Sequence, residues 1–204
     1  EFGGILSPAE LDLHVTRTAV HRVTRHMSHG TRILAGWPVH FETLATRASR
    51  EAYIRLCREI PETIRPLLIF ELVGQPDGVP ASRIVDVVGV LRSFCRSVMV
   101  RVPADFRRFD IFQGANIGAV GFSLSGSQVP DAQAIAQISR FAENASRTGQ
   151  RIYVHGLNSR PQLLAAVVAG YDWIDGPAVQ LPGEQLGSMR RFDLGNIYQP
   201  LQAA

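Results

Sequence analysis

The sequence predicts an α/β fold of the parallel, barrel-like kind, and three observations carry that expectation. Short apolar runs rich in Val, Ile and Phe alternate with amphipathic helical stretches along the 204 residues. Alternation at this spacing builds a parallel sheet with helices outside it, joined by right-handed crossovers. Each run keeps one apolar face suited to helices and finishes, on the other face, in a polar residue. The composition, 46% hydrophobic and 19% charged with a mean hydropathy of +0.04, is that of a globular chain able to bury a sizeable core.

The first element is a helix. Ser7-Pro8-Ala9-Glu10 combines an N-cap serine, proline at the first helical position and glutamate three residues after the cap. It runs to about Met27, with Leu13, Ala19, Val20 and Val23 on its apolar side. Strands are expected at about 36–41, 67–73, 97–102, 118–123, 151–155 and 172–175. Further helices are expected at about 47–60, 81–95, 130–148 and 160–169, with Gly149 as a helix stop. No linker, low-complexity segment or repeat interrupts the chain, so residues 1–204 are read as one domain. Its tail, 183–204, carries Phe192, Leu194, Ile197, Tyr198 and Leu201 among polar residues, which suits packing on the domain or on a partner.

Strand parity points to a site. In 67–72 one face carries Leu68, Phe70 and Leu72 while the other ends in Glu71; in 98–102 one face is valine and the other ends in Arg101. The run 152–155 ends in His155, and 39–41 ends near His40. Four polar endings on one face describe the mouth of a barrel, although an open doubly wound sheet also binds ligands at the carboxyl ends of its strands.

Charge and residue usage exclude several classes of function. The net charge is +3, yet all 21 basic residues are Arg, spread along the chain among 18 acidic ones. Only the stretch from Arg17 to Arg32 is visibly basic, and a solvated helix face is the plainer reading than a stripe for a nucleic-acid polymer. With no Lys in the chain, phosphate-loop and Schiff-base lysine chemistries are excluded. There is no run of about 18 apolar residues to span a membrane. The opening residues lack the regions of a secretion signal, and Cys57 and Cys95 make no disulfide framework, so a reducing, cytoplasmic setting is expected. Gly118, Gly121 and Gly126 fit no nucleotide fingerprint and are read as small residues packing inside a strand. His14, His21, His26 and His29 lack metal-site spacing and are read as surface histidines, and Ser123 and Ser125 lack a nucleophile-elbow context.

The order and spacing of the motifs resemble the EAL domain, the barrel whose active members hydrolyse the bacterial second messenger cyclic di-GMP. The segment Ile152 to Pro182, I-Y-V-H-G-L-N-S-R-P-Q-L followed by G-Y-D-W-I-D-G-P-A-V-Q-L-P, is similar to the family's A-E-G-V-E-T-x-x-Q strand and its G-x-x-x-x-Q-G-x-x-x-x-x-P ending. Leu67 to Val73 resembles L-x-L-E-I-T-E, Val39-His40-Phe41-Glu42 stands where V-N-L-S is expected, and Ser7 to Glu10 resembles a family S-P-A-E. The resemblance implies a TIM-barrel-like fold that is incomplete or open. The family's first two strands, the second carrying E-A-L, would precede Gly3–Pro8, which leaves about six of the usual eight.

The resemblance also implies a degenerate site. Active members hold divalent metals with carboxylates and one Asn, and a Lys assists at the nucleophilic water. Reading across, the E-A-L glutamate is absent, the Asn is His40, and one glutamate is retained as Glu71. The paired aspartates fall at Arg101 and Val102, the lysine at Gly121, two glutamates at His155 and Asn158, and the Gln is retained as Gln162. Catalysis by the family mechanism is therefore not expected, and no cofactor is expected.

His40, Glu71, Arg101, His155 and Gln162 remain as a candidate ligand-binding mouth. Three readings of it stand. Glu71 and Arg101 form an ion pair that fills the vacated site; Arg101, with both histidines, accepts an anion such as a cyclic di-GMP phosphate; or His40, Glu71 and His155 bind a transition metal. The expected function is a non-catalytic regulatory domain that meets a protein partner or itself. The alternative is a receptor that binds cyclic di-GMP without metal or hydrolysis.

Overall fold

In the computed structural model, which describes residues 6–30 and 33–183, the chain opens with the expected helix. Helix α1 (Pro8–Ser28) begins at a complete capping box. The Glu10 N–H donates to Ser7 Oγ (3.3 Å) and the Ser7 N–H donates to the Glu10 carboxylate (2.9 Å). Two of the orphan donors of a helix start are thereby satisfied. The buried side of α1 is Asp12, Thr16 and Val23. Leu13 and Val20, expected on the apolar side, are only half-buried. The true inward line runs i, i+4, i+7, i+11 from Asp12, and two of its members are polar.

The remaining elements follow in order. Strand β1 (Ala35–His40) leads directly into α2 (Phe41–Ala45) and then α3 (Arg47–Arg58). Next come β2 (Leu68–Val73), α4 (Ala81–Arg92), β3 (Ser97–Arg101) and β4 (Ala119–Ser123). The described chain closes with α5 (Asp131–Ser146), β5 (Ile152–His155), α6 (Arg160–Val168) and β6 (Trp173–Ile174). Short 3-10 turns lie at Arg65–Leu67 and Phe109–Phe112. Two expectations are corrected. Phe41 starts a helix rather than ending a strand, because α2 is too short to show a helical period in sequence. The last strand is only two residues, because its flanking Asp172 and Asp175 turn their side chains to the backbone: Asp172 accepts from the Ile152 N–H (2.9 Å) and Asp175 from the Gly156 N–H (3.1 Å).

All six strands are parallel, in the order β1-β2-β3-β4-β5-β6, and the sheet is not closed. This is the α/β, TIM-barrel-like architecture in its open and incomplete form. The chain divides into two compact units, one running to Val100 and taking in Gly114–Gly118, the other comprising Arg101–Gln113 and continuing from Ala119. From residue 184 onward the expected tail lies outside the described residues.

In the first unit the register pairs Trp37 with Phe70 and Val39 with Leu72, and Phe70 with Val98 and Leu72 with Val100. Paired residues of a parallel sheet point the same way, so these six form one apolar face, each at most 5% exposed. Trp37 and Tyr53 both meet Phe70 edge-on, with ring centroids at 5.2 and 6.4 Å. A polar thread runs through this core: the Trp37 indole N–H donates to Thr16 Oγ1 (3.0 Å), whose hydroxyl lies 2.9 Å from that of Tyr53. In the second unit, Phe122 of β4 packs on Phe141 of α5 at 4.8 Å, and Phe141 meets Phe109 at 5.1 Å. Fully burying each such ring contributes about 2–3 kcal/mol. Tyr171 joins this cluster, its hydroxyl donating to the Ile138 carbonyl (2.9 Å).

Candidate functional site

The alternation of each strand sends one set of side chains to the helices and the other to the opposite face, and the candidate residues lie on the second set. In the first unit, Pro38 is in register with Glu71 and Glu71 with Met99, while His40 is in register with Val73. His40 and Glu71 therefore share a face of β1 and β2, opposite the aromatic core. Glu71 is a buried carboxylate, 6% exposed.

His40 is held from below by a residue that the sequence reading did not single out. Its Nδ1 lies 2.7 Å from Asp12 Oδ1, and its backbone N–H donates to Asp12 Oδ2 (2.8 Å). The Thr43 hydroxyl donates to the same Asp12 oxygen (2.6 Å). Asp12 is 1% exposed, whereas about a third of the His40 side chain (32%) meets solvent. One buried carboxylate on α1 thus fixes the end of β1, the start of α2 and the orientation of an imidazole. The available signal was an Asp in phase with Thr16 and Val23 on the buried side of an amphipathic helix.

The second unit has a related pair in which the carboxylate is exposed. His155 ends β5, in register with Ser123 of β4. Its Nδ1 is hydrogen-bonded to Asp175, whose other oxygen accepts the Gly156 N–H (3.1 Å). The ring also packs edge-on against Tyr153, centroids 4.9 Å apart. Arg101, half-buried, ends β3, and the following Val102 is buried, its N–H donating to the Gly121 carbonyl (2.8 Å). Gln162 is buried and both ends of its amide are engaged. Its Nε2 donates to Asp131 Oδ1 (2.7 Å), and its Oε1 accepts the Asn158 N–H (2.8 Å). Ser159 Oγ donates to the same Asp131 oxygen (2.9 Å), so Gln162 ties the start of α6 to the start of α5.

Of the five candidate residues, His40 and Glu71 belong to the first unit and Arg101, His155 and Gln162 to the second. Among the described residues, no group of three or more His, Cys, Asp or Glu side chains is placed to hold a metal ion. Gly121 is confirmed as a packing glycine: a Cβ there would overlap the Tyr153 carbonyl and ring. Gly118 has the same constraint against Ser97 but precedes β4. Gly126 differs from the expectation, for it sits in a turn with φ +74° and open space around it. His14, His21 and His29 are exposed and His26 is half-buried. Burial pushes the Cys57 thiol up to about 12 and that of Cys95 up to about 11, so both stay protonated and unreactive at neutral pH.

No family model matches this chain, and no curated protein is significantly similar to it in sequence. Solved structures do match its fold. The EAL domain of Mycobacterium smegmatis DcpA is 16% identical, with a TM-score of 0.60 over 84% of this chain and 78% of that one. The Xanthomonas citri FimX EAL domain in complex with c-diGMP is 13% identical, with a TM-score of 0.56 over 96% of this chain and 81% of that one. Bacillus subtilis YkuI, a protein with an EAL domain solved in complex with substrate c-di-GMP and calcium, is 14% identical, with a TM-score of 0.64 over 92% of this chain and 47% of that one.

The fold is that of the EAL domain. Within it, this chain presents two carboxylate-held imidazoles at strand ends, one in each unit, and a glycine of β4 covered by a tyrosine of β5. Among the described residues no helix is long and apolar enough to cross a membrane.

Proposed function

We propose that this chain is a non-catalytic EAL-like regulatory domain of bacterial cyclic di-GMP signalling that acts through contact with a protein partner. The observation that carries the reading is what occupies the strand ends. The resemblance asks for metal-binding groups at the positions of His40 and His155, and each is an imidazole already engaged through Nδ1 by a carboxylate of this chain. An Asp–His pair orients the ring and leaves only an imidazole nitrogen to offer, in place of the oxygen ligands that Mg²⁺ or Mn²⁺ prefers there. The lysine position agrees with this: at Gly121 any side chain meets Tyr153. A cytoplasmic setting, with Cys57 and Cys95 as free thiols, belongs to the same reading.

A second reading is a receptor that binds cyclic di-GMP without hydrolysis, with Arg101 as an anion anchor. What favours it is that FimX and YkuI, two of the structures similar in fold, were solved with that nucleotide. One experiment separates the readings: titration calorimetry of the purified chain with cyclic di-GMP, with and without Mg²⁺, paired with chromatography of the nucleotide after incubation. Neither heat nor product is expected. Saturable binding without product would replace the partner reading by the receptor reading, and metal-dependent product would overturn both.

A further inference from the structure

We infer that the outward face of α1 is a docking surface for an acidic helix of a partner protein, an inference that rests on the protein-interaction reading above and names the chemistry of the partner. His14, Arg17, His21, Arg22, Arg25 and His29 are all exposed. At 100° per residue the five that lie within α1 fall within one arc of about 140°, and His29 caps its end. Among the described residues Arg17, Arg22 and Arg25 make no salt bridge, unlike Arg47, whose Nε lies 2.8 Å from Glu51 Oε1. Of the two carboxylates of α1, one stands at its first turn and the other is inside. Glu10 is taken by the Ser7 cap, and Asp12 is buried beneath His40. From His14 onward α1 carries no acidic residue, and Arg22 and Arg25, three residues apart, repel each other, an arrangement that weakens a helix standing alone.

The chemistry of this face selects among anionic partners. Three arginines at an anionic membrane enrich a protein by roughly a hundredfold, too little to hold it there without apolar insertion. The inward side of α1 that could supply insertion is turned to the core, with Val23 2% exposed. A nucleic acid would find about three phosphate contacts and no Phe, Tyr or Trp on the face to stack on. An acidic helix fits better. Arg17, His21 and Arg25 repeat every four residues, a rise of about 6 Å per step, which is the spacing of carboxylates at i and i+4 on a facing helix. Arginine forks bind carboxylates in two-point geometry, which a regular row of acids on a helix can meet.

The test uses a synthetic helical peptide with Glu at four-residue intervals along one face. A control peptide has the same composition with its Glu spread round the helix. Fluorescence anisotropy with the full chain should show saturable binding of the striped peptide, about tenfold or more tighter than the control and weaker at high salt. The triple change Arg17→Glu, Arg22→Glu and Arg25→Glu should abolish that binding and create binding of a Lys-striped peptide. Circular dichroism checks that the variant is folded. Should it not be, the single changes to Gln must each weaken binding in turn. Equal binding of both peptides, undiminished binding by the variants, or tighter association with phosphatidylglycerol-containing vesicles than with the striped peptide would overturn the inference. Cyclic di-GMP turnover by the same preparation would overturn the proposed function whatever the peptides do. A chain without turnover that ignores the striped peptide would sink only the claim about α1.

Discussion

Asp12 is the residue on which the end of β1 depends. It is 1% exposed and accepts from the His40 backbone, the His40 ring and the Thr43 hydroxyl. Removing a buried charged partner strands the groups that faced it, so Asp12→Ala should destabilise the fold by about 3–5 kcal/mol in urea unfolding. Asp12→Asn, which keeps acceptor capacity toward the backbone N–H, should cost clearly less. Equal losses from both changes would mean that the site needs the full carboxylate and that the acceptor kept by Asn contributes nothing. His40 stood out in the sequence because it ends an apolar strand, but Asp12 did not. A lone acid in an amphipathic helix is ordinarily solvated, and only the fold brings a strand end 28 residues away within hydrogen-bonding distance.

At the scale of elements, α1, β1 and α3 are joined by the Thr16–Trp37–Tyr53 thread. Thr16→Val keeps the shape and removes the shared hydroxyl, leaving an indole N–H and a phenol to find other partners in a dry core. A loss of about 1–3 kcal/mol is expected in urea unfolding, with Thr16→Ser close to wild type. A neutral Thr16→Val would show that the thread contributes shape alone. Long elements were legible because their periods repeat: α1, α3, α4, α5 and α6 and the first five strands lie within a few residues of their expected positions. Elements of a turn or less were not. Helix α2 has five residues and β6 two, fewer than a period needs to declare itself, and their limits are set by Asp12, Asp172 and Asp175 reaching the backbone.

For the whole molecule, the buried acids of the core that must stay neutral set an alkaline limit. Burial raises Cys57 from the ordinary 9.0 to about 12 and Cys95 to about 11, and it pushes Tyr53 and Tyr171 upward as well. In the unfolded chain the same groups lose their protons near 9 to 10. The folded state therefore holds more protons than the unfolded one above pH 9. Stability is full below that point and is lost as pH climbs from about 9 to about 12. The urea midpoint should fall as pH rises from about 9 to about 12, and a flat profile would contradict the burial of these groups. By the same token a thiol reagent at mildly alkaline pH should label Cys57 only after unfolding, since it is fully buried.

By itself the sequence determined the class and order of the elements, the parallel sheet, the absence of lysine chemistry and the strand ends at which polar residues gather. Those properties are local or compositional: a period of two or of 3.6, a capping box and a residue count are complete within a short stretch of chain. Tertiary structure decided the rest. It placed Asp12 under His40 and Asp175 beside His155, spent Gln162 on Asp131, and set Tyr153 against Gly121. Each of these is a contact between residues 20 to 32 apart in sequence, and the chain's local preferences carry no information about which distant group will satisfy a polar side chain. Only packing, which removes water from both partners at once, makes that choice.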